Sequence, residues 1–150
     1  MSFNKRIARA TVAVAALGIL TLGGASACSS SAGTASDAAA TITTGSHLSP
    51  AEFSQSITKA GTVLIDVRTP SEYAAGHIAN ARNIDVESAN FTSDIASLDK
   101  NATYALYCHS GRRSGIAMQT MQQAGFTHVY DLSGGIQNWE SSGGTLVTGS

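Results

Sequence analysis

The sequence predicts an α/β domain in which a parallel sheet is covered by helices on both faces. Three observations predict it. Short apolar runs rich in β-formers, "TVLIDV", "TYALYC" and "HVYDL", recur between residues 46 and 147, as expected of strands buried on both faces. Segments with helix-start signals or helical spacing lie between them. Strands that alternate with helices favour parallel pairing through crossovers over hairpins.

The elements follow in order. "SPAEFSQSITK" opens a helix with Ser49 as N-cap, Pro50 at the first position and Glu52 at the capping-box spacing, and Gly61 ends it. "TVLIDV", 62–67, is a buried strand. "TPSEYAAG" predicts a turn and a short helix capped by Ser71. "ARNIDV" is a second, weaker strand. "FTSDIASL" is a short helix with Phe91, Ile95 and Leu98 at helical spacing. "TYALYC", 103–108, is another buried strand. "RRSGIAMQTMQQAG" is a helix whose inner face carries Ile116, Ala117, Met118, Met121 and Ala124, with Gly125 as C-cap. "HVYDL" is a strand and "GGIQNWESS" a closing helix. Phe126, Tyr130 and Trp139 read as core or rim packing.

The N-terminal third has a different character. Lys5, Arg6 and Arg9 precede a run without charge from Ala10 to Cys28 that ends in small residues, the layout of a secretory signal. Thr11, Gly18, Thr21, Gly23 and Gly24 make it a poor membrane span. "Ala25-Ser26-Ala27" suits ordinary signal peptidase. Cys28 after Ala27 also resembles a bacterial lipoprotein signal, which implies lipid attachment at Cys28, although Ala25 stands where that family prefers Leu. Both readings export the domain, to the outer face of the cell membrane or to a periplasmic or secreted state. The expected organisation is a signal at 1–27, a Ser/Thr/Ala-rich tether at 28–45, a folded domain at 46–147 and a tail at 148–150.

Charge and cysteine count narrow the function. The formal net charge is −1, and removing the signal with its three cations takes it to −4, which argues against nucleic acid or an anionic membrane surface as partner. Export permits disulfides, but only Cys28 and Cys108 exist. With Cys28 lipidated, Cys108 is a free reactive thiol or half of an intermolecular bridge. A structural metal needs about four closely spaced Cys/His ligands, and His47, His77, His109 and His128 are scattered. No metal or cofactor is expected.

The segment "YCHSGRRSG", 107–115, carries the chemistry. Cys108 ends a strand, and ligand crevices of α/β sheets lie beyond the carboxyl ends of strands. Arg112 and Arg113 add positive charge to a helix N-terminus that favours negative charge, at a local cost of a few tenths of a kcal/mol each. An anion held by free amides and a guanidinium would reverse that sign. Gly111 and Gly115 give the backbone room to approach it. The same field favours the thiolate, the nucleophilic form of Cys108. A cysteine packed at a strand end beside solvated arginines is the plain alternative. His109 reads as a loop-lining residue with acid–base work as a second option.

At this point the sequence resembles a single-domain rhodanese, a sulfurtransferase, through "LIDVRTPSEYAAGHIANARNI" (64–84), "YCHSGRRS" (107–114) and "DLSGGIQNW" (131–139). The resemblance implies a rhodanese-like α/β fold with a parallel sheet of about five strands. It implies that Cys108 takes a sulfane sulfur as a persulfide, within the amides of His109, Ser110, Gly111, Arg112 and Arg113. Arg113 would close the loop and help hold an anionic donor such as thiosulfate, with Arg112 nearby. Asp66, Arg68 and Ser114 would support the loop, the first two by charge-assisted hydrogen bonds. A thiol or cyanide would accept the sulfur, and the chain reads as a monomer. Asn80 replaces the glycine usual after "GHI", and asparagine tolerates the left-handed backbone there. Two rivals remain. A tethered, non-catalytic sulfur carrier would share every motif. A phosphatase or arsenate reductase of the related Cys-loop type needs five residues between Cys and Arg, and here four separate Cys108 from Arg113.

Overall fold

A computed structural model describes residues 42–149; the expected signal, Cys28 and most of the expected tether lie outside the described residues. The element order is β1 (His47–Leu48), α1 (Pro50–Ile57), β2 (Thr62–Asp66), α2 (Pro70–Ala75), β3 (Arg82–Asn83), α3 (Phe91–Ala96), β4 (Thr103–Tyr107), α4 (Arg112–Gln123), β5 (His128–Leu132) and α5 (Gly135–Ser141). The five strands form one sheet in the order β1-β5-β4-β2-β3, and every pairing is parallel. The expected α/β architecture is the observed one.

Strand parity decides which side chains reach which face. On one face Ile65, Val67, Tyr104, Leu106, Cys108 and Val129 pack with Phe91 and Ile95 of α3 and with Ala117, Met118 and Met121 of α4. On the other, Leu64, Ala105, Tyr107, Tyr130 and Leu132 pack with Phe53 of α1 and with Ile136 and Trp139 of α5. Phe53 meets Tyr130 and Trp139 edge-on, with ring centroids 6.2 and 6.3 Å apart. Phe126, Tyr130 and Trp139 are core residues, as the sequence suggests.

The N-cap signals work with one change of residue, while α1 ends at Ile57 with Thr58 as C-cap, short of Gly61, and Ala124 rather than Gly125 is the C-cap of α4. Ser49 accepts from the Glu52 amide while Glu52 accepts from the Ser49 amide, closing a capping box on α1. α2 has the same device, but Thr69 is its cap and Glu72 its partner. Ser71 was the expected cap; it falls inside the helix, because Pro70 already occupies the first helical position after Thr69. Asn80 does adopt the left-handed backbone, with φ 66°.

Four further differences have local causes. Ile116, expected on the inner face of α4, is 48% exposed; the buried stripe runs through Ser114, Ala117, Met118 and Met121, one position away. The strand expected at "ARNIDV" pairs regularly only at Arg82 and Asn83, though the Ile84 and Val86 amides still bond to Asp66 and Val67 carbonyls. β1 was not expected, since two residues are too short to show a period. Residues assigned to the tether by composition already touch the domain: Ile42 packs on the core, and the Gly45 amide donates to the Val129 carbonyl at 2.8 Å.

Candidate active site: the Cys108 loop

Cys108 follows β4 directly, and its side chain is on the α3/α4 face of the sheet. The residue is 1% exposed. Gly111, in the left-handed conformation with φ 91°, turns the chain back and starts α4. Its amide donates to Cys108 Sγ at 3.1 Å. No other residue type adopts that turn as cheaply, and an added Cβ would sit 3.3 Å from the Gly134 nitrogen.

The direction of the neighbouring amides is set from the other side. The Ile136 amide donates to the Cys108 carbonyl at 2.8 Å, and the Gln137 amide donates to the His109 carbonyl at 3.3 Å. A trans peptide points its N–H opposite to its C=O. Tying those two carbonyls to the start of α5 therefore turns the amides of His109 and Ser110 the other way. Among the described residues, the amides of His109, Ser110, Arg112, Arg113 and Ser114 donate to no protein acceptor. The loop thus presents a set of open N–H groups at the N-terminus of a 12-residue helix, beside a thiol.

α5 can approach this closely because of Gly135. Its φ is +61°, and a Cβ there would lie 2.5 Å from the Cys108 carbonyl oxygen and 2.6 Å from His109 backbone atoms. Gly134 and Gly135 were not singled out from the sequence as site residues. The signal was the glycine pair in "DLSGG", whose purpose depends on a contact between segments some 25 residues apart in the chain.

Arg113 differs most from expectation. Its guanidinium is not open to a ligand but forms a two-pronged pair with Glu72, at 2.8 and 2.6 Å, and a further bond to Glu87 at 3.0 Å. The hydrogen bonds that Arg113 donates to Glu72, opposed by partial burial, hold the Arg113 pKa above its usual value. In return Arg113 holds Glu72 down to about 2 from an ordinary 4.5, against partial desolvation and with help from Thr69. The anion that the cationic helix start calls for is supplied, at Arg113, by the protein's own carboxylates. Arg112 is exposed and has no carboxylate partner among the described residues, as His109 and Ser110 are also exposed.

Asp66 and Arg68 make a different set of contacts from the one expected. They form a buried pair, with Arg68 Nη2 2.5 Å from Asp66 Oδ2, and Arg68 donates to the Gly76 carbonyl at 2.7 Å. Burial opposes the Arg68 charge, but hydrogen bonds from the guanidinium to Asp66 raise its pKa overall. No hydrogen bond links either to residues 108–113. The reason is parity: Asp66 is in register with Tyr107, so both face α1 and α5, while Cys108 faces α4. The pair supports the loop only indirectly. Arg68 lies 5.7 Å over the Tyr107 ring, and the Tyr107 hydroxyl accepts from the Ile78 amide at 3.0 Å. Ser114 is buried as a support, with its Oγ 2.7 Å from Asp131 Oδ2 and 3.0 Å from the Gly111 carbonyl.

Two outcomes follow from this geometry. A carboxylate whose folded pKa is depressed stabilises the fold above its unfolded value and loses that contribution as pH falls. Glu72 should therefore contribute fully above 4.5 and progressively less down to about 2. Its side chain is 31% exposed, so screening limits the pair and the lost cap together to about 1–2 kcal/mol. Denaturant titrations should show Glu72→Gln less stable than wild type by that amount at neutral pH, with the gap closing in acid; a gap independent of pH would refute the assignment. Gly135→Ala should cost about 3 kcal/mol through backbone overlap and left-handed strain, read by thermal unfolding; unchanged stability would mean that α5 does not pack on the loop as described.

Comparison with known proteins agrees with this geometry. The family model of the rhodanese-like domain matches residues 49–142. The thiosulfate sulfurtransferase GlpE of Pseudomonas fluorescens (strain SBW25) is 33% identical over 93 residues, 62% of this chain and 84% of the relative. GlpE of Pseudomonas paraeruginosa is 36% identical over 90 residues, 60% of this chain and 80% of the relative. Among solved structures, a rhodanese-related protein from Thermoplasma volcanium superposes with a TM-score of 0.61 at 30% identity, covering 68% of this chain and 97% of that one. A rhodanese-like domain protein from Staphylococcus aureus gives 0.59 at 25% identity, covering 70% and 99%. With the loop, the closing glycines and the sheet order all in place, the chain belongs to the rhodanese-like domain family.

Proposed function

We propose that the chain is a sulfurtransferase that carries a sulfane sulfur on Cys108. The observation that carries this reading is the set of open amides at residues 109, 110 and 112–114, in the loop that follows Cys108 and whose Gly111 amide bonds its sulfur at the start of α4. Such a nest stabilises negative charge on a sulfur. A thiolate there is a nucleophile, and the persulfide it becomes is again an anion in the same place. The relatives named thiosulfate sulfurtransferase support thiosulfate as donor.

The reaction balances in two steps. The Cys108 thiolate attacks the outer sulfur of thiosulfate. The sulfur–sulfur bond of the donor breaks, its electron pair leaves with sulfite, and Cys108 becomes a persulfide anion. Cyanide or a thiolate then attacks the outer persulfide sulfur, takes it as thiocyanate or as a new persulfide, and returns the Cys108 thiolate. The near-complete cover over Cys108 favours a small donor. The exposure of Arg112 and its lack of a carboxylate partner among the described residues support it as the cation that meets the sulfonate end of the donor. Arg113 serves the loop itself.

Intact-mass spectrometry after thiosulfate treatment tests the proposal. Wild type should gain one sulfur atom and lose it to cyanide, and Cys108→Ser should gain none. Sustained thiocyanate production would distinguish an enzyme from a carrier that only loads. Failure of wild type to load from any sulfane donor would refute sulfur transfer.

A further inference from the structure

One buried polar chain is not used by the reaction above. Asp131 of β5 is fully buried on the α4 face. Its carboxylate has two side-chain partners. Ser114 Oγ lies 2.7 Å from Oδ2, and His47 Nδ1 lies 2.6 Å from Oδ1. Ser114 is buried and its Oγ is 3.0 Å from the Gly111 carbonyl. The Gly111 amide donates to Cys108 Sγ at 3.1 Å. The chain thus runs from a histidine whose side chain is 60% exposed, through a carboxylate 1% exposed, to the residue that touches the thiol.

The Ser114 hydroxyl has one proton and faces two acceptors. With Asp131 ionised, the shorter contact takes that proton, and the Gly111 carbonyl keeps the Gly115 amide at 3.1 Å. A buried carboxylate without a charged partner is costly. Among the described residues no Lys or Arg forms an ion pair with Asp131, and His47 is the group that can bring positive charge to it. The elements packed around this pair carry few other titratable groups. α1 has Glu52, turned onto Ser49. β5 has His128 and Tyr130, β4 has Tyr104 and Tyr107 and leads to Cys108, α4 has Arg112 and Arg113, and α5 has Glu140. The contacts therefore form one continuous path, from His47 through Asp131 and Ser114 to the Gly111 turn and the Cys108 sulfur.

We propose that His47 and Asp131 are positioning residues for Cys108, acting through Ser114 on the Gly111 amide. The inference rests on the sulfur-transfer reading only for its catalytic readout; thiol reactivity reports it independently. The prediction is that His47 makes Cys108 more reactive when charged, and only when Ser114 is present.

The test uses the full chain and two rates measured from about pH 5 to about pH 9, across the range where histidines change charge. One is alkylation of Cys108 by iodoacetamide, read on the Cys108 peptide so that Cys28 does not contribute. The other is persulfide formation from thiosulfate. Asp131→Asn should slow both about tenfold, the scale of a lost hydrogen bond to a charged group. His47→Gln should slow both about threefold at the acid end, the scale of a partly exposed ion pair, and the ratio to wild type should approach one as pH rises. In a Ser114→Ala background, adding His47→Gln should change neither rate at any pH. A wild-type to His47→Gln ratio that stays constant with pH would overturn the proposal, as would a pH-dependent ratio that survives without Ser114. Melting temperatures check each fold, and His47→Gln, at an exposed side chain, decides the matter if Asp131→Asn does not fold. Alkylation rates that follow the pattern without persulfide formation would uphold the positioning role and remove sulfur transfer.

Discussion

The Arg113–Glu72 pair ties together the two helix starts on which the site depends. Glu72 Oε2 accepts from the Thr69 amide, the Thr69 hydroxyl and Arg113, while Oε1 accepts the second prong of the guanidinium. One carboxylate thus caps α2 and anchors the first turn of α4. The arrangement resolves a conflict written into the sequence. Two arginines at a helix N-terminus oppose the backbone dipole, and here one of them is neutralised within the protein while the other is left facing outward. The division of labour concentrates uncompensated positive charge on Arg112 and on the open amides, beside the thiol.

Around this anchor the loop is held by opposing directions of hydrogen bonding. Carbonyls of Cys108 and His109 point to the amides at the start of α5. The corresponding N–H groups point away, by the planarity of the peptide. Gly135 permits the contact and Gly111 permits the turn, both with positive φ. The site is therefore formed by backbone geometry, with side chains holding the backbone in place. Ser114 and Asp131 do so from beneath and Glu72 from the side, and the Asp66–Arg68 pair stiffens the α2 turn across the sheet.

Much of this was legible in the sequence where the signal is local. The buried strands 62–66, 103–107 and 128–132 show as apolar runs, and α1 shows its complete capping box. Cys108, Gly111 and the start of α4 follow from one contiguous segment. What was not legible depends on contacts between distant segments. Nothing near Arg113 in the chain shows that Glu72, 41 residues away, takes its guanidinium. Asp66 ends β2 and Cys108 directly follows β4, but only the register of β2 on β4 shows that their side chains leave opposite faces of the sheet. The two-residue β1 is below the length at which periodicity exists, and with it the link from His47 to Asp131. Ile116 shows the limit within a single helix, where a shift of one position turns a side chain from core to solvent.

On the proposed sulfur transfer, the two adjacent arginines have separate tasks, Arg113 for the loop and Arg112 for the donor. Thermal unfolding and steady-state kinetics on Arg112→Gln and Arg113→Gln, side by side, test this separation most directly. Arg112→Gln should keep the melting temperature and raise KM for thiosulfate by about fivefold to tenfold, while Arg113→Gln should lower the melting temperature by several degrees, for a loss of about 1–2 kcal/mol. The contrary result is an Arg113→Gln protein as stable as wild type with a raised KM for thiosulfate, beside an Arg112→Gln protein that binds the donor normally.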